Sequence, residues 1–137
     1  MSAPNVILTI ELPVPPSLNE MIDLAKQRSV RRIPVIYNKE RERYETRSLV
    51  ALSHQRIVAP PDPWPRWRIV SAHFRLHNLR DWVELMASLK WPVDVLVTQR
   101  FVVDDSPREL LPPPIPTQVI NRRQPGVILQ IAEGWDV

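Results

Sequence analysis

Two acidic pairs stand out as groups that could do chemistry. Asp81 and Glu84 lie three residues apart, and Asp104 and Asp105 are adjacent. Carboxylates at the edges of two neighbouring elements are what a hard cation such as Mg²⁺ requires. Lys90 lies between the pairs, where its ammonium could neutralise a phosphate or a transition state. Together these groups suit phosphodiester hydrolysis, in which one or two metal ions supply a nucleophilic water and stabilise developing charge. Each acid also has a purely structural reading. Asp81 is well placed to cap a helix, Glu84 is a first-turn acid favoured by the helix dipole, and Asp104-Asp105 before Ser106-Pro107 reads as a turn. Asp94 reads as structural. His73 and His77 are spaced for one metal ion on a helix, but on a strand they stand too far apart, so structural roles are expected for both.

The elements that must position these groups follow from periodicity. Residues 5–12 alternate as a strand, which Pro13, Pro15 and Pro16 stop. Ser17 could cap a short helix through Leu24 or Lys26. Residues 28–47 are dense in arginine, and 39–58 predict a helix with a stripe of Tyr44, Leu49, Leu52 and Ile57 and a Glu40–Arg43 pair one turn apart. That charge run reads either as a solvated helix face or as a phosphate-contacting patch. Residues 60–65 predict a stiff entry to a strand over 67–76, with Trp67, Ile69, Ser71 and His73 on one face and Arg68, Val70, Ala72 and Phe74 on the other. Asp81 then opens a helix with an apolar arc of Trp82, Leu85, Met86 and Leu89. Pro92 breaks or kinks it unless a second turn begins there. A short strand follows over 100–104, an extended proline run over 111–116, and a hairpin of 117–121 with 126–132. The tail from Glu133 is expected to fray.

Composition bounds the rest. A chain of 137 residues, 44% hydrophobic, is long enough for one core. The expected architecture is α/β, a single domain over residues 1–137 with a small mixed sheet packed by two or three helices. Sixteen prolines against two glycines imply stiff connections between few elements. The absence of cysteine excludes disulfides and thiolate metal sites and makes a cytoplasmic location the natural expectation. Neither a signal peptide nor a membrane span is visible. The net charge is +3 and the pI about 9.8. The basic side chains are mostly arginine, whose planar fork suits phosphate.

Four stretches together carry a more specific signal: Leu-Pro-Val-Pro-Pro-Ser-Leu-Asn at 12–19, Arg80-Asp81-Trp82-Val83-Glu84-Leu85, Lys90 with Asp94, and Val103-Asp104-Asp105-Ser106. In order and spacing this set resembles the RusA family of Holliday-junction resolvases, small endonucleases often encoded by phages. The resemblance implies a RusA-like α/β homodimer that binds four-way DNA junctions and nicks them symmetrically with Mg²⁺, Mn²⁺ being possible. It also implies metal ligation by Asp81 and Asp105, with Asp104 as ligand or support, and a catalytic role for Lys90 if a short insertion precedes it. The chain departs from the family where a second aspartate is expected, at Val83, so Glu84 would have to supply that carboxylate by a one-residue shift. Arg31, Arg32, Arg75, Arg80, Arg122 and Arg123 are the candidates for contacts to the DNA backbone, which give affinity without sequence readout. The competing expectation is a junction-binding accessory protein on the same fold that does not cut. A third is a protein-interaction module using the 111–116 run.

Overall fold

The computed structural model describes residues 6–17, 19–20 and 33–134. Strand β1 (Val6–Leu12) leads to helix α1 (Ile33–His54) and strand β2 (Trp67–Leu76). Helices α2 (Trp82–Ala87) and α3 (Lys90–Thr98) follow, then strands β3 (Thr117–Ile120) and β4 (Gly126–Glu133). The architecture is a small mixed α/β arrangement, as composition and pattern suggest. The four strands lie in the order β1-β4-β2-β3, antiparallel except for the parallel β2–β3 pair. No described helix is long and apolar enough to cross a membrane.

The expected hairpin of 117–121 with 126–132 does not form. β3 pairs with β2, His73 opposite Thr117, while β4 lies on the other side of β2, between β2 and β1. Burial explains the sorting. β4 buries Val127, Leu129, Ile131 and Ala132 and suits a central position, whereas β3 is largely exposed and suits an edge. The link between them passes the end of β2, where Arg122 Nε donates to the His77 carbonyl at 3.2 Å. Gly126 ends this crossing at a close approach. A Cβ there would stand 2.8 Å from Glu11 Oε1 and 3.1 Å from an Arg75 guanidinium nitrogen.

The alternation expected for 67–76 also changes partway. The β2–β4 register shifts between Ile69 and Ser71, so one extra residue turns the strand over. Trp67 and Ile69 therefore share the core face with Ala72, Phe74 and Leu76, and Ser71 and His73 face the other way. Ser71 Oγ bonds Gln130 at 2.8 Å, and His73 Nδ1 bonds Thr117 Oγ1 at 2.7 Å, a structural role.

Helix α1 begins six residues before the expected start and stops four before the expected end (54 against 58). Pro34 is tolerated in its first turn, where backbone N–H groups have no helical acceptor. Its core stripe is Tyr44, Ser48 and Leu52, while Leu49 is exposed. The Tyr44 hydroxyl donates to the Pro13 carbonyl at 2.8 Å, and burial holds its pKa above the ordinary phenol value. Gln55 clamps β1 by accepting from Glu11 N at 2.8 Å and donating to Glu11 O at 2.7 Å.

The C-terminus of α1 is a Schellman turn: Ile57 N bonds Leu52 O, Arg56 N bonds Ser53 O, and Arg56 takes φ 57°. Helix α3 ends the same way, with Phe101 N on Leu96 O and Arg100 at φ 63°. Glycine is the residue suited to such positions. Arg56→Gly is therefore expected to raise stability by about 0.5–1 kcal/mol, left-handed strain relieved less the entropy that glycine adds to the unfolded chain. A higher urea midpoint at unchanged slope is the readout, and a lower midpoint would show that the exposed Arg56 side chain contributes more than its strain costs.

Pro92 neither breaks nor kinks α2, which ends at Ala87; a new helix begins at Lys90. Pro92 sits in the first turn of α3, buried beside Trp91, Val93, Val95 and Leu96. The short strand expected over 100–104 is reduced to a bridge of Val102 with Trp64. Residues 101 and 102 are buried instead in the core that α1, α3 and the sheet share.

Candidate active site

Asp81 is the N-cap of α2, its Oδ1 accepting from Glu84 N at 2.8 Å. The cap is worth about 1 kcal/mol in typical helices. It also fixes the first turn, so that Glu84 faces the proline-rich exit of β1. There Glu84 Oε1 accepts from Asn19 N at 3.1 Å, and Ser17 Oγ accepts from Glu20 N at 3.0 Å. The expected cap at Ser17 is thus present, and the rest of that expected helix lies outside the described residues. The two motif stretches at 12–19 and 80–85 meet at this point.

Arg80 is the residue that joins them. One guanidinium nitrogen donates to the Pro15 carbonyl at 2.7 Å and the other to Ser88 Oγ at 2.8 Å. Its own peptide is held in both directions by the Gln118 side chain of β3, N to Oε1 at 2.9 Å and Nε2 to O at 2.8 Å. Burial holds the Arg80 pKa below its ordinary value, against the pull of Glu20 and Glu84, which favour the charged form. No sequence signal points to Gln118, because its partner is brought beside it only by the parallel β2–β3 pairing.

Lys90 opens α3 and meets both acids that the resemblance groups with it. Its Nζ lies 3.1 Å from Asp94 Oδ1 and 3.1 Å from Asp105 Oδ2. Partial burial lowers the ammonium pKa, but the hydrogen bonds and charges of Asp105 and Asp94 outweigh this and hold it above the ordinary value. Lys90 is thus a cation throughout the neutral range. Asp104 accepts from Asp105 N at 2.8 Å, and that N–H holds its carboxyl below the usual range. The Asp104 carbonyl accepts from Trp67 Nε1 at 2.8 Å. A strand residue in the core thereby fixes the turn that carries the acid pair.

The candidate arginines fall in different settings. Arg75 is paired with Glu11 and is mostly buried, Arg80 is committed as above, and Arg122 and Arg123 are exposed. Arg31 and Arg32 lie outside the described residues. On α1, Lys39, Arg41, Arg43 and Arg47 are exposed, and Arg43 pairs with Glu40 at 2.8 Å as expected. A cleft of about 710 Å³ opens between residues 13–17, α1 and the 77–80 loop. Glu84 and Arg80 line it, whereas Lys90, Asp81 and the Asp104–Asp105 pair lie outside it.

The Mg²⁺ that the resemblance implies can be tested against these positions. Among the described residues no three Asp, Glu, His or Cys side chains gather into a group that could hold a metal ion. Asp81, Glu84, Asp104 and Asp105 each have one oxygen already engaged, by Glu84 N, Asn19 N, Asp105 N and Lys90 respectively. Val83 is exposed and offers no ligand atom. The side chains do not fit a preassembled three-carboxylate centre. The arrangement instead offers a fixed, charged lysine beside a carboxylate, two pinned acids at a helix start and a basic surface. The chain matches no model of a known protein family and no curated protein.

Proposed function

We propose that the chain is a structure-specific endodeoxyribonuclease of the RusA kind, resolving four-way DNA junctions by paired nicks as a homodimer in recombination and repair. The observation that carries the reading is the contact of Lys90 with Asp105. Two residues that the resemblance assigns to one catalytic site, 15 apart in sequence, come together beside the first turn of α3. The meeting of Arg80 and Glu84 with Pro15 and Asn19 supports it further. In this reading Lys90 neutralises the scissile phosphate, and Asp105 holds the ammonium in place until the phosphate competes for it. Mg²⁺, or Mn²⁺ in its stead, is the proposed cofactor. It commonly takes one or two carboxylates and the substrate's own phosphates, a smaller demand than a three-acid centre.

One observation favours a second reading, a junction-binding protein that does not cut: the apolar Val83 stands where the family pattern has an acid. A labelled immobile junction and a matched duplex, with Mg²⁺, Mn²⁺ or EDTA, separate the two. Paired nicks confined to the junction are expected, with a loss of about 100- to 1000-fold in Asp105→Asn, the scale for removing one electrostatic contributor. Tight junction binding without cutting in either metal would establish the binder. Equal binding of junction and duplex would sink both.

A further inference from the structure

The stretch from His77 to Val83 combines a pinned backbone with exposed apolar side chains. Arg80 is its anchor, held at Pro15, Ser88 and Gln118. Around that anchor the large side chains of Leu79, Trp82 and Val83 are 58%, 61% and 79% exposed. Trp82 sits at the start of α2, so the capping bond of Asp81 fixes its backbone too. The other three tryptophans of the described residues are covered. Trp67 and Trp91 are buried, and Trp64 is partly buried against the core. Ile120, also exposed, lies on the side of β3 that carries Gln118, because residues two apart on a strand share a face.

Trp82 leaves 61% of its surface uncovered on a rigid turn, beside two other exposed apolar side chains, and a bound partner would cover that surface. The charge beside the stretch says which. The turn after β3 carries Arg122 and Arg123, both exposed, and Arg122 is bonded to the carbonyl of His77, the first residue of the stretch. A second copy of this chain would add the same two arginines to the contact and so bring no complementary charge to that turn. A nucleic-acid strand matches both features, phosphates on the arginines and a base on the indole. Aromatic platforms beside basic grooves are how proteins hold unpaired bases.

We propose that Trp82, flanked by Leu79 and Val83, stacks on a base whose face is left uncovered at the open branch point of a four-way junction, with Arg122 and Arg123 on the adjoining phosphates. The proposal rests on the reading of the chain as a junction protein. It gives that reading a specificity element, because a base inside a continuous duplex is already stacked and cannot occupy the platform.

Trp82→Ala and Trp82→Phe test it, in anisotropy titrations with an open-centre four-way junction and a fully paired duplex. Circular dichroism and light scattering accompany them. Trp82→Ala should weaken junction binding by about 5- to 150-fold, the range for losing one stacked base. Duplex affinity and its salt slope should stay unchanged. Trp82→Phe should recover most of the loss, and the junction should quench wild-type emission more than that of Trp82→Phe. Equal junction affinity of wild type and Trp82→Ala would overturn the stacking while leaving a junction preference, and so the junction reading, intact. Conversion of a dimer to a monomer by Trp82→Ala would assign the patch to a second copy and overturn it equally. A wild-type protein with no salt-dependent DNA binding would overturn this proposal and the junction reading together.

Discussion

Trp67→Ala is expected to cost about 3–5 kcal/mol, the range for removing a buried aromatic and leaving its cavity. Trp67 is fully buried at the start of β2. It also holds the loop after α3 at three points. Nε1 donates to the Asp104 carbonyl at 2.8 Å, its N–H donates to the Glu109 carbonyl at 2.7 Å, and its carbonyl accepts from Leu111 N at 3.3 Å. Alanine keeps the two backbone bonds and loses the indole. Trp67→Phe narrows the components, since it keeps a buried aromatic ring and loses the five-membered ring with its N–H donor. Its expected cost is about 1–2 kcal/mol, much of it from leaving the Asp104 carbonyl without its partner. Urea unfolding reads both. Amide exchange at Asp105 and Ser106 should quicken in Trp67→Phe more than exchange in β4, because the turn bearing the acids loses its tie to the core. Uniform loss across the sheet and the turn would show that the indole bond has no local part in holding Asp104 and Asp105.

Much of the scaffold was legible in the sequence, and the departures have physical causes. β1, β2 and the capping role of Asp81 follow from alternation and from one polar residue before an apolar arc. The helix ends were illegible because glycine, the usual sign, is replaced at the left-handed positions by Arg56 and Arg100. The faces of β2 were legible only up to the register shift after Ile69, because an inserted residue inverts a period-two pattern without changing composition. The hairpin reading failed since two short strands and a turn look alike whether they pair or flank a third strand. In the candidate site, Lys90 meets Asp94 and Asp105, and its pairing with Asp94 is the ordinary i,i+4 geometry of a helix, in keeping with a structural role for Asp94. The holding bonds were beyond reach. Gln55 on Glu11 and Gln118 on Arg80 each match a peptide group with a side-chain amide, between residues 44 and 38 apart in sequence. Composition carries no trace of such pairs.

Arg80→Ala should destabilise the protein by about 2–4 kcal/mol, because hydrogen bonds from a charged donor are worth about 1.5–3 kcal/mol and two are lost together. The Pro15 carbonyl and Ser88 Oγ would each lose a partner 2.7–2.8 Å away, at a residue pair that is itself buried. Arg80→Lys should recover less than half of that. A lysine places one ammonium and cannot reach both acceptors as the guanidinium fork does. Reading Arg80 instead as a contact to a DNA phosphate gives the opposite pattern. Stability would be unchanged, and the salt dependence of binding would become shallower by about one unit of log K against log salt, since one phosphate contact is removed. Thermal or urea midpoints and a salt series on the same variants decide between the two. With the guanidinium committed to Pro15 and Ser88, the loss should appear in the unfolding midpoint, and the salt slope should hold. The turn that carries Asp81 and Trp82 is held by this side chain together with Gln118, so a protein lacking it should also lose discrimination between an open junction and a duplex while keeping its non-specific affinity for DNA. A stable Arg80→Ala protein with a shallower salt slope would show that Arg80 faces the DNA backbone and leaves the turn to Gln118 alone.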